Sequence, residues 1–223
     1  GTGETGIRSK VRKGCEEIVK KVKTIKAEKK ADKIAVLTFD VFGFSRGAAA
    51  ARNFVYEIGK AKYKAISRTV ANEAVSVTTY SDDDGKGVAS EELPKWGHLG
   101  LKLEEAGLKV DVLKVRFLGI YDTVSSYSKY LSPVPNFSND VEELSLNDIG
   151  KAQTVVHFTA EDEHRENFDL TRVHIGTEKT FPGVHCDVGG AYENGQETWE
   201  EVETSWTTST KLKALKTELE TEG

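Results

Sequence analysis

The 223-residue chain contains no methionine, four prolines and two cysteines, Cys15 and Cys186. Two thiols cannot build the disulfide framework of a small secreted domain or a four-thiolate zinc site. No run approaches the ~18 consecutive apolar residues that a transmembrane helix needs. The stretch from Ile7 to Lys30 is amphipathic and basic, without the apolar centre of a secretory signal. An excess of basic charge is missing too: 31 Lys and Arg stand against 36 Asp and Glu, a formal charge of −5. That balance argues against a general nucleic-acid binder. The lack of Met, with Gly1 at the first position, gives the expectation of a fragment or a processed product. Apolar residues are 38% and charged residues 30% of the chain, a lean but sufficient supply for a core. At this size ~70% of the unfolded surface can be buried.

What is present is a succession of patterned segments. Ile7, Val11, Cys15, Ile18, Val19, Val22 and Ile25 recur at three- and four-residue spacing and predict an amphipathic helix, broken at Ala31-Asp32-Lys33. The apolar run Ile34–Phe39 predicts a strand buried on both faces, as in a parallel sheet. Ala48–Ile58 is strong helix material. Leu99, Leu101, Leu103 and Leu108 predict a helix ending near Gly107, and Lys109–Tyr121 predicts the next buried strand. Leu146–Phe158 reads as a helix, and Arg172–Phe181 as containing a strand. Alternating helices and strands imply an α/β fold, a mostly parallel sheet flanked by helices. The expected organisation is a core over 1–195, with a lid or insertion at 60–95, and a polar tail at 196–223 with a final helix at Ser209–Glu218.

Gly43-Phe44-Ser45-Arg46-Gly47 matches G-x-S-x-G. In a nucleophile elbow the serine occupies a strained turn between strand and helix, so its neighbours two residues away must be small. The turn lifts the hydroxyl above the sheet edge, and the helix aims free N–H groups at the reacting oxygen. The pattern alone is weak, since a serine helix cap between turn glycines looks the same. Here a buried strand precedes it and an Ala-rich helix follows, the context the elbow requires. A nucleophilic serine needs a base, and the base an orienting carboxylate, in the chain order Ser, Asp or Glu, His for this fold class. Asp122 follows the second strong strand, where ligand-facing residues of parallel sheets lie. A turn-capping role would account for it as well. Among the histidines, His98 is out of order, His157 and His164 fall in or near the predicted helix, and His174 lies in the predicted strand. His185 alone has both the order and a setting, the glycine-rich loop Pro182–Gly190.

Other signals are weaker. Gly1-Thr2-Gly3-Glu4-Thr5-Gly6 is literally G-x-G-x-x-G, but a dinucleotide loop needs a strand before it and none is visible in these residues. Asp82-Asp83-Asp84 lacks the spacing of a calcium loop. Asp162, Glu163 and Arg165, read as helical neighbours, would not face one another as an acid–base cluster. A structural ion pair of Arg165 with a carboxylate near the site fits better. Asp187 shapes the His185 loop or is a second choice for the acid. Trp96, Trp199 and Trp206 suit packing as well as lipid contact.

Phe42-Gly43-Phe44-Ser45-Arg46-Gly47-Ala48-Ala49-Ala50-Ala51-Arg52 closely resembles the elbow of the phospholipase effectors of type VI secretion systems, an α/β-hydrolase-like family. Phe117–Val124, His157–Phe168 and Phe181–Tyr192 resemble further family stretches in the same order. The resemblance implies a triad of Ser45, Asp122 and His185, with the Arg46 backbone N–H as one oxyanion donor. It implies hydrolysis of glycerophospholipid acyl esters in the phospholipase A manner, with no metal or organic cofactor. It also implies a membrane substrate, a secretion-apparatus partner and an immunity protein, and delivery from the producer's cytoplasm to a rival's periplasm. A soluble carboxylesterase, or a noncatalytic docking module on the same fold, are the alternatives. Cys186 stands where the family usually has Ser, and Ala191 where Gly is common. The family's upstream Asp-Gly-Thr strand is absent from these residues, so the resemblance implies a missing first strand and a missing second oxyanion donor. Losing one such donor costs ~10²–10³ in rate.

Overall fold

The computed structural model describes residues 6–64, 80–81, 87–88, 92–125, 141–142, 144–165, 168 and 170–191. The chain divides into two compact units, Gly1–Gly189 and Gly190–Gly223, and every element below belongs to the first. Helix α1 (Ile7–Glu28) buries Ile7, Val11, Cys15 and Val19, one residue per turn, and turns its Lys and Glu residues outward. Strand β1 (Ile34–Phe44) leads through Ser45 into α2 (Arg46–Gly59). Ala48, Ala49 and Ala51 are buried on α2, and their small side chains let this helix lie close against β1.

Two short antiparallel ladders come next. One pairs β2 (Tyr63–Lys64) with β5 (Glu92–Leu93), the other β3 (Tyr80–Ser81) with β4 (Gly87–Val88). Of the expected 60–95 lid, residues 65–79, 82–86 (with Asp82–Asp84) and 89–91 lie outside the described residues, as do Trp199, Trp206 and the expected tail helix. Helix α3 (Gly97–Glu105) ends as the leucine spacing predicts, with Leu108 N–H closing onto the Leu103 carbonyl at 2.9 Å. Strands β6 (Val110–Tyr121), β7 (Ala152–Ala160) and β8 (Thr177–Phe181) complete the main sheet, and the short helix α4 (His185–Gly189) comes after it.

The sheet order is β1-β6-β7-β8, and every pairing is parallel. The expected α/β architecture, a parallel sheet flanked by helices, is therefore present. Phe44 pairs with Tyr121, and Tyr121 with Phe158, so β1 and β6 end level at one rim and β7 runs two residues past it to Ala160. Loops leaving that rim begin with Ser45, Asp122 and Glu161. The core lies on the face that receives α2, where Leu37, Phe39 and Val41 of β1 meet Phe54, Val55 and Ile58 of the helix side.

Three expectations need correcting. Leu146–Phe158 is not a helix: 144–147 is a turn, and β7 takes Ala152–Ala160. Leu146 and Ile149 are buried three residues apart, which imitates helical spacing, while the β-formers Thr154, Val155, Val156 and Thr159 set the strand downstream of them. β1 is not buried on both faces. Among the described residues it is an edge strand, and Val36 and Phe42 point away from the helices at 49% and 62% exposure. His185 is not in a loop but is the first residue of α4. Among the described residues no helix is long and apolar enough to cross a membrane.

Candidate active site

Ser45 joins β1 to α2 with φ 57° and ψ −127°. A non-glycine residue is held there only where its surroundings over-determine the backbone, at ~1–3 kcal/mol. The constraints are visible. Ser45 N–H donates to the Tyr121 carbonyl at 3.0 Å, and the Ser45 carbonyl accepts from Ala48 at 3.0 Å and from Val124 at 3.4 Å. The elbow is thereby bonded to the residues on either side of Asp122. Gly43 is obligatory: a Cβ on it would lie 2.3 Å from the Gly47 carbonyl oxygen. Gly47 is different, since a Cβ there would meet nothing within 4 Å. The sequence pattern treats the two glycines alike, and the structure does not.

The Ser45 hydroxyl makes no capping bond to α2. The helix's own bonding begins with Ala48 N–H, leaving the N–H groups of Arg46 and Gly47 at the open positive end of the helix. Arg46 thus has its N–H next to the serine, as the oxyanion reading requires.

Asp122 follows β6 with φ 38° and is almost fully buried. Its N–H donates to the Phe158 carbonyl at 2.7 Å, and its Oδ1 accepts the Ala160 N–H at 2.9 Å. Its Oδ2 lies 2.6 Å from His185 Nδ1. Both side chains are buried, so this is a charge-assisted bond shielded from water. With Nδ1 committed to the carboxylate, Nε2 is the ring nitrogen left for proton transfer. The imidazole is held between two phenyl rings, Phe44 at 4.4 Å and Phe168 at 4.8 Å between centroids. Phe44 precedes Ser45, so the ring that packs on the imidazole is the nucleophile's neighbour. Gly189 admits that ring, because a Cβ there would lie 2.2 Å from it.

The structure therefore joins His185 to Asp122 directly. Ser45 is brought to the same rim through Tyr121, Val124 and Phe44, and among the described residues no hydrogen bond links its hydroxyl to the imidazole. Such bonds are often long before substrate binds.

The loop after β7 supplies residues that sequence reasoning placed wrongly. Asp162, Glu163 and Arg165 lie in irregular backbone rather than in a helix. Glu163 accepts from Arg165 Nε and Nη2, both at 2.8 Å, and from the His185 backbone N–H at 3.3 Å. Arg165 lies over the Phe168 ring at 3.9 Å. A clamp of carboxylate, guanidinium and phenyl thus reaches both backbone and ring of His185. The Arg165 guanidinium holds the Glu163 carboxyl well below the usual range, down to about 2. Asp187 accepts the Val184 N–H at 2.8 Å and so caps α4. It shapes the His185 segment, while Asp122 is the carboxylate on the ring.

Arg52, on α2, was also missed. It is fully buried and donates to the carbonyls of Leu146 at 2.8 Å, Thr171 at 2.7 Å and Arg172 at 3.1 Å. Thr171 in turn donates to the Thr123 carbonyl at 2.8 Å, so Arg52 braces the turn that bears Asp122. Burial lowers its pKa to about 10, with Glu178 opposing. Arg52 falls on the buried face with Ala48 and Val55, at four- and three-residue spacing, which is the signal that could have found it.

Of the other histidines, His164 and His174 are exposed, His98 lies in α3 beside Glu57 and Glu16, and His157 is buried in β7. Both cysteines are free thiols, and burial pushes Cys15 up to about 12, an inert thiol. Among the described residues no group of three His, Cys, Asp or Glu side chains could hold a metal ion.

Residues 4–210 match the model of the type VI secretion system phospholipase effector, Tle1-like catalytic domain. Among solved structures, the Tle1 effector bound to the VgrG spike from the type 6 secretion system matches at 25% identity and a TM-score of 0.48, over 82% of this chain and 30% of that one. An uncharacterized protein from Pseudomonas aeruginosa matches at 20% identity and a TM-score of 0.34, over 78% of this chain and 22% of that one. The chain thus spans less than a third of the length of either. No curated protein sequence matches it significantly.

Proposed function

The chain belongs to the family of type VI secretion phospholipase effectors with a Tle1-like catalytic domain, and on that premise we propose that it hydrolyses acyl esters of glycerophospholipids through Ser45, His185 and Asp122. The observation that carries this reading is the buried 2.6 Å contact of His185 Nδ1 with Asp122, at the rim where Ser45 is held at φ 57°.

Ser45 Oγ attacks the ester carbonyl while His185 Nε2 accepts its proton. Asp122 holds the Nδ1–H tautomer and stabilises the imidazolium. The tetrahedral oxyanion lies against the Arg46 N–H at the start of α2. Collapse expels the lipid alcohol, which takes the proton from Nε2, and leaves an acyl-serine. Water then attacks with His185 again as base, releasing the fatty acid and restoring Ser45. The products are one lysophospholipid and one fatty acid per ester cleaved.

The substrate in this reading is a phospholipid membrane, and membership of the family supports a role as an effector of a secretion apparatus. We extend this to delivery from the producer's cytoplasm into a rival's periplasm, with an immunity protein guarding the producer.

Release of fatty acid from phospholipid liposomes tests the reading. The wild type should release acyl chains, and Ser45→Ala and His185→Ala should each abolish release while retaining the wild-type circular dichroism. Turnover of short soluble esters with no action on liposomes would make the chain a carboxylesterase instead. A folded wild type inactive on both would leave a noncatalytic docking module.

A further inference from the structure

A second histidine–carboxylate pair lies directly behind the first. His157, in β7, is fully buried, and its Nδ1 lies 3.0 Å from Glu178 Oε2 on β8. Glu178 is itself held by Arg172 and by the Val173 N–H at 3.3 Å. On the other side of the ring, the Thr123 backbone N–H points at His157 Nε2 at 3.2 Å, with the Thr123 hydroxyl at 3.2 Å from the same nitrogen. A backbone N–H can only donate, so Nε2 must present its lone pair, and the ring proton must lie on Nδ1, where Glu178 accepts it.

Thr123 is the residue after Asp122, whose φ of 38° is unfavourable for a side chain. Two successive residues of β7 hold this turn. Phe158 accepts from the Asp122 N–H, and His157 accepts from the Thr123 N–H. Sheet pairing gives the first bond, but only a side chain with a buried acceptor can give the second.

We propose that His157 is a positioning residue, whose unprotonated Nε2 fixes the Asp122–Thr123 turn and thereby aims the Asp122 carboxylate at His185. It touches no substrate. The inference rests on the Ser45–His185–Asp122 reading for its effect on rate, but not for its effect on the His185–Asp122 bond. Protonation of His157 would set an Nε2–H against the Thr123 N–H and release the turn. The groups facing the ring are Glu178 from β8, Asp122 and Thr123 after β6, and Arg52 from α2. Burial, with Arg52 assisting and Glu178 and Asp122 opposing, holds the His157 pKa below its ordinary value of 6.5. The ring therefore stays neutral at neutral pH, and the switch belongs to the acid side.

The test uses His157→Phe and His157→Gln. Phenylalanine fills the space and offers no acceptor, whereas the glutamine amide can take the Thr123 N–H with its oxygen and donate to Glu178. The first readout is the downfield proton NMR resonance of His185 Nδ1–H bonded to Asp122. The second is the pH profile of kcat on phospholipid. In the wild type the acid limb should take up an additional proton, on His157, towards its acid end. His157→Phe should lose the resonance and lower kcat by ~10- to 10²-fold, the scale of a small misplacement, with KM little changed. His157→Gln should keep the resonance, restore kcat at neutral pH, and show a one-proton acid limb. A folded His157→Phe with the wild-type resonance would overturn the proposal. If that variant does not fold, a two-proton limb in His157→Gln would overturn it. Failure of the hydrolase reading would appear separately, as an inactive wild type whose resonance still responds to the two substitutions.

Discussion

Asp122 is held by four polar contacts: its N–H to Phe158, its Oδ1 from Ala160, its Oδ2 to His185, and the following N–H to His157. With the carboxylate so fixed, Asp122→Asn should leave the fold nearly intact and impose the wrong imidazole tautomer. The expected loss in kcat on liposomes is up to ~10⁴. Asp187→Asn should disturb only the α4 cap and cost turnover far less. Equal losses in both variants would contradict the assignment of the acid. Glu163 gives a prediction in acid. Its folded pKa of about 2 lies below its ordinary 4.5, so its contribution to stability is full above pH 4.5 and is lost as the pH falls towards 2. Glu163→Gln should lower the thermal midpoint at neutral pH and flatten its decline across that window, as calorimetry at stepped pH will show. Identical slopes in both proteins would count against the clamp on His185.

The elbow shows how one element builds the site and how far it could be read in advance. Gly43, Ser45 and the helix after them were legible, because a strand–turn–helix with a serine at its apex has a local signature. The inequality of the two glycines was not, since it depends on how closely α2 returns over β1. Gly43→Ala forces a Cβ into the Gly47 carbonyl at 2.3 Å. It should destabilise by ~1–3 kcal/mol, the usual cost of overpacking, and cut activity. Gly47→Ala places its methyl in open space within a helix and should hold or raise the melting temperature. Denaturant titration of the two variants checks the contrast, and equal destabilisation would refute it. β7 and α4 were misread for physical reasons. The buried Leu146 and Ile149 imitate a helical stripe ahead of a strand, and a five-residue helix is too short to show any period. Glu163 and Arg165 are two apart, a spacing that separates side chains on a helix but not in the irregular loop they occupy.

At the scale of the whole molecule, the parallel order β1-β6-β7-β8 brings residues from 45, 122 and 185 to one rim. The α/β class was legible, whereas the strand order and which faces are covered were not. α2 covers one face, while Val36, Val112 and Phe42 on the other are 49%, 42% and 62% exposed, with Val36 directly beside Val112. Val36 and Val112 form an exposed apolar pair, set apart from Phe42 by the exposed Asp40–Arg116 ion pair, and exposed apolar surface binds hydrophobic dyes. A Val36→Lys, Val112→Lys double variant should bind less dye with an unchanged melting temperature, and unchanged dye binding would show that the face is not open. The most direct test of the central claim is covalent labelling of the folded protein with a fluorophosphonate, followed by peptide mapping. The account predicts one adduct, on Ser45, and its loss in His185→Ala. A folded wild type that takes no label, or takes it at another residue, would contradict the account.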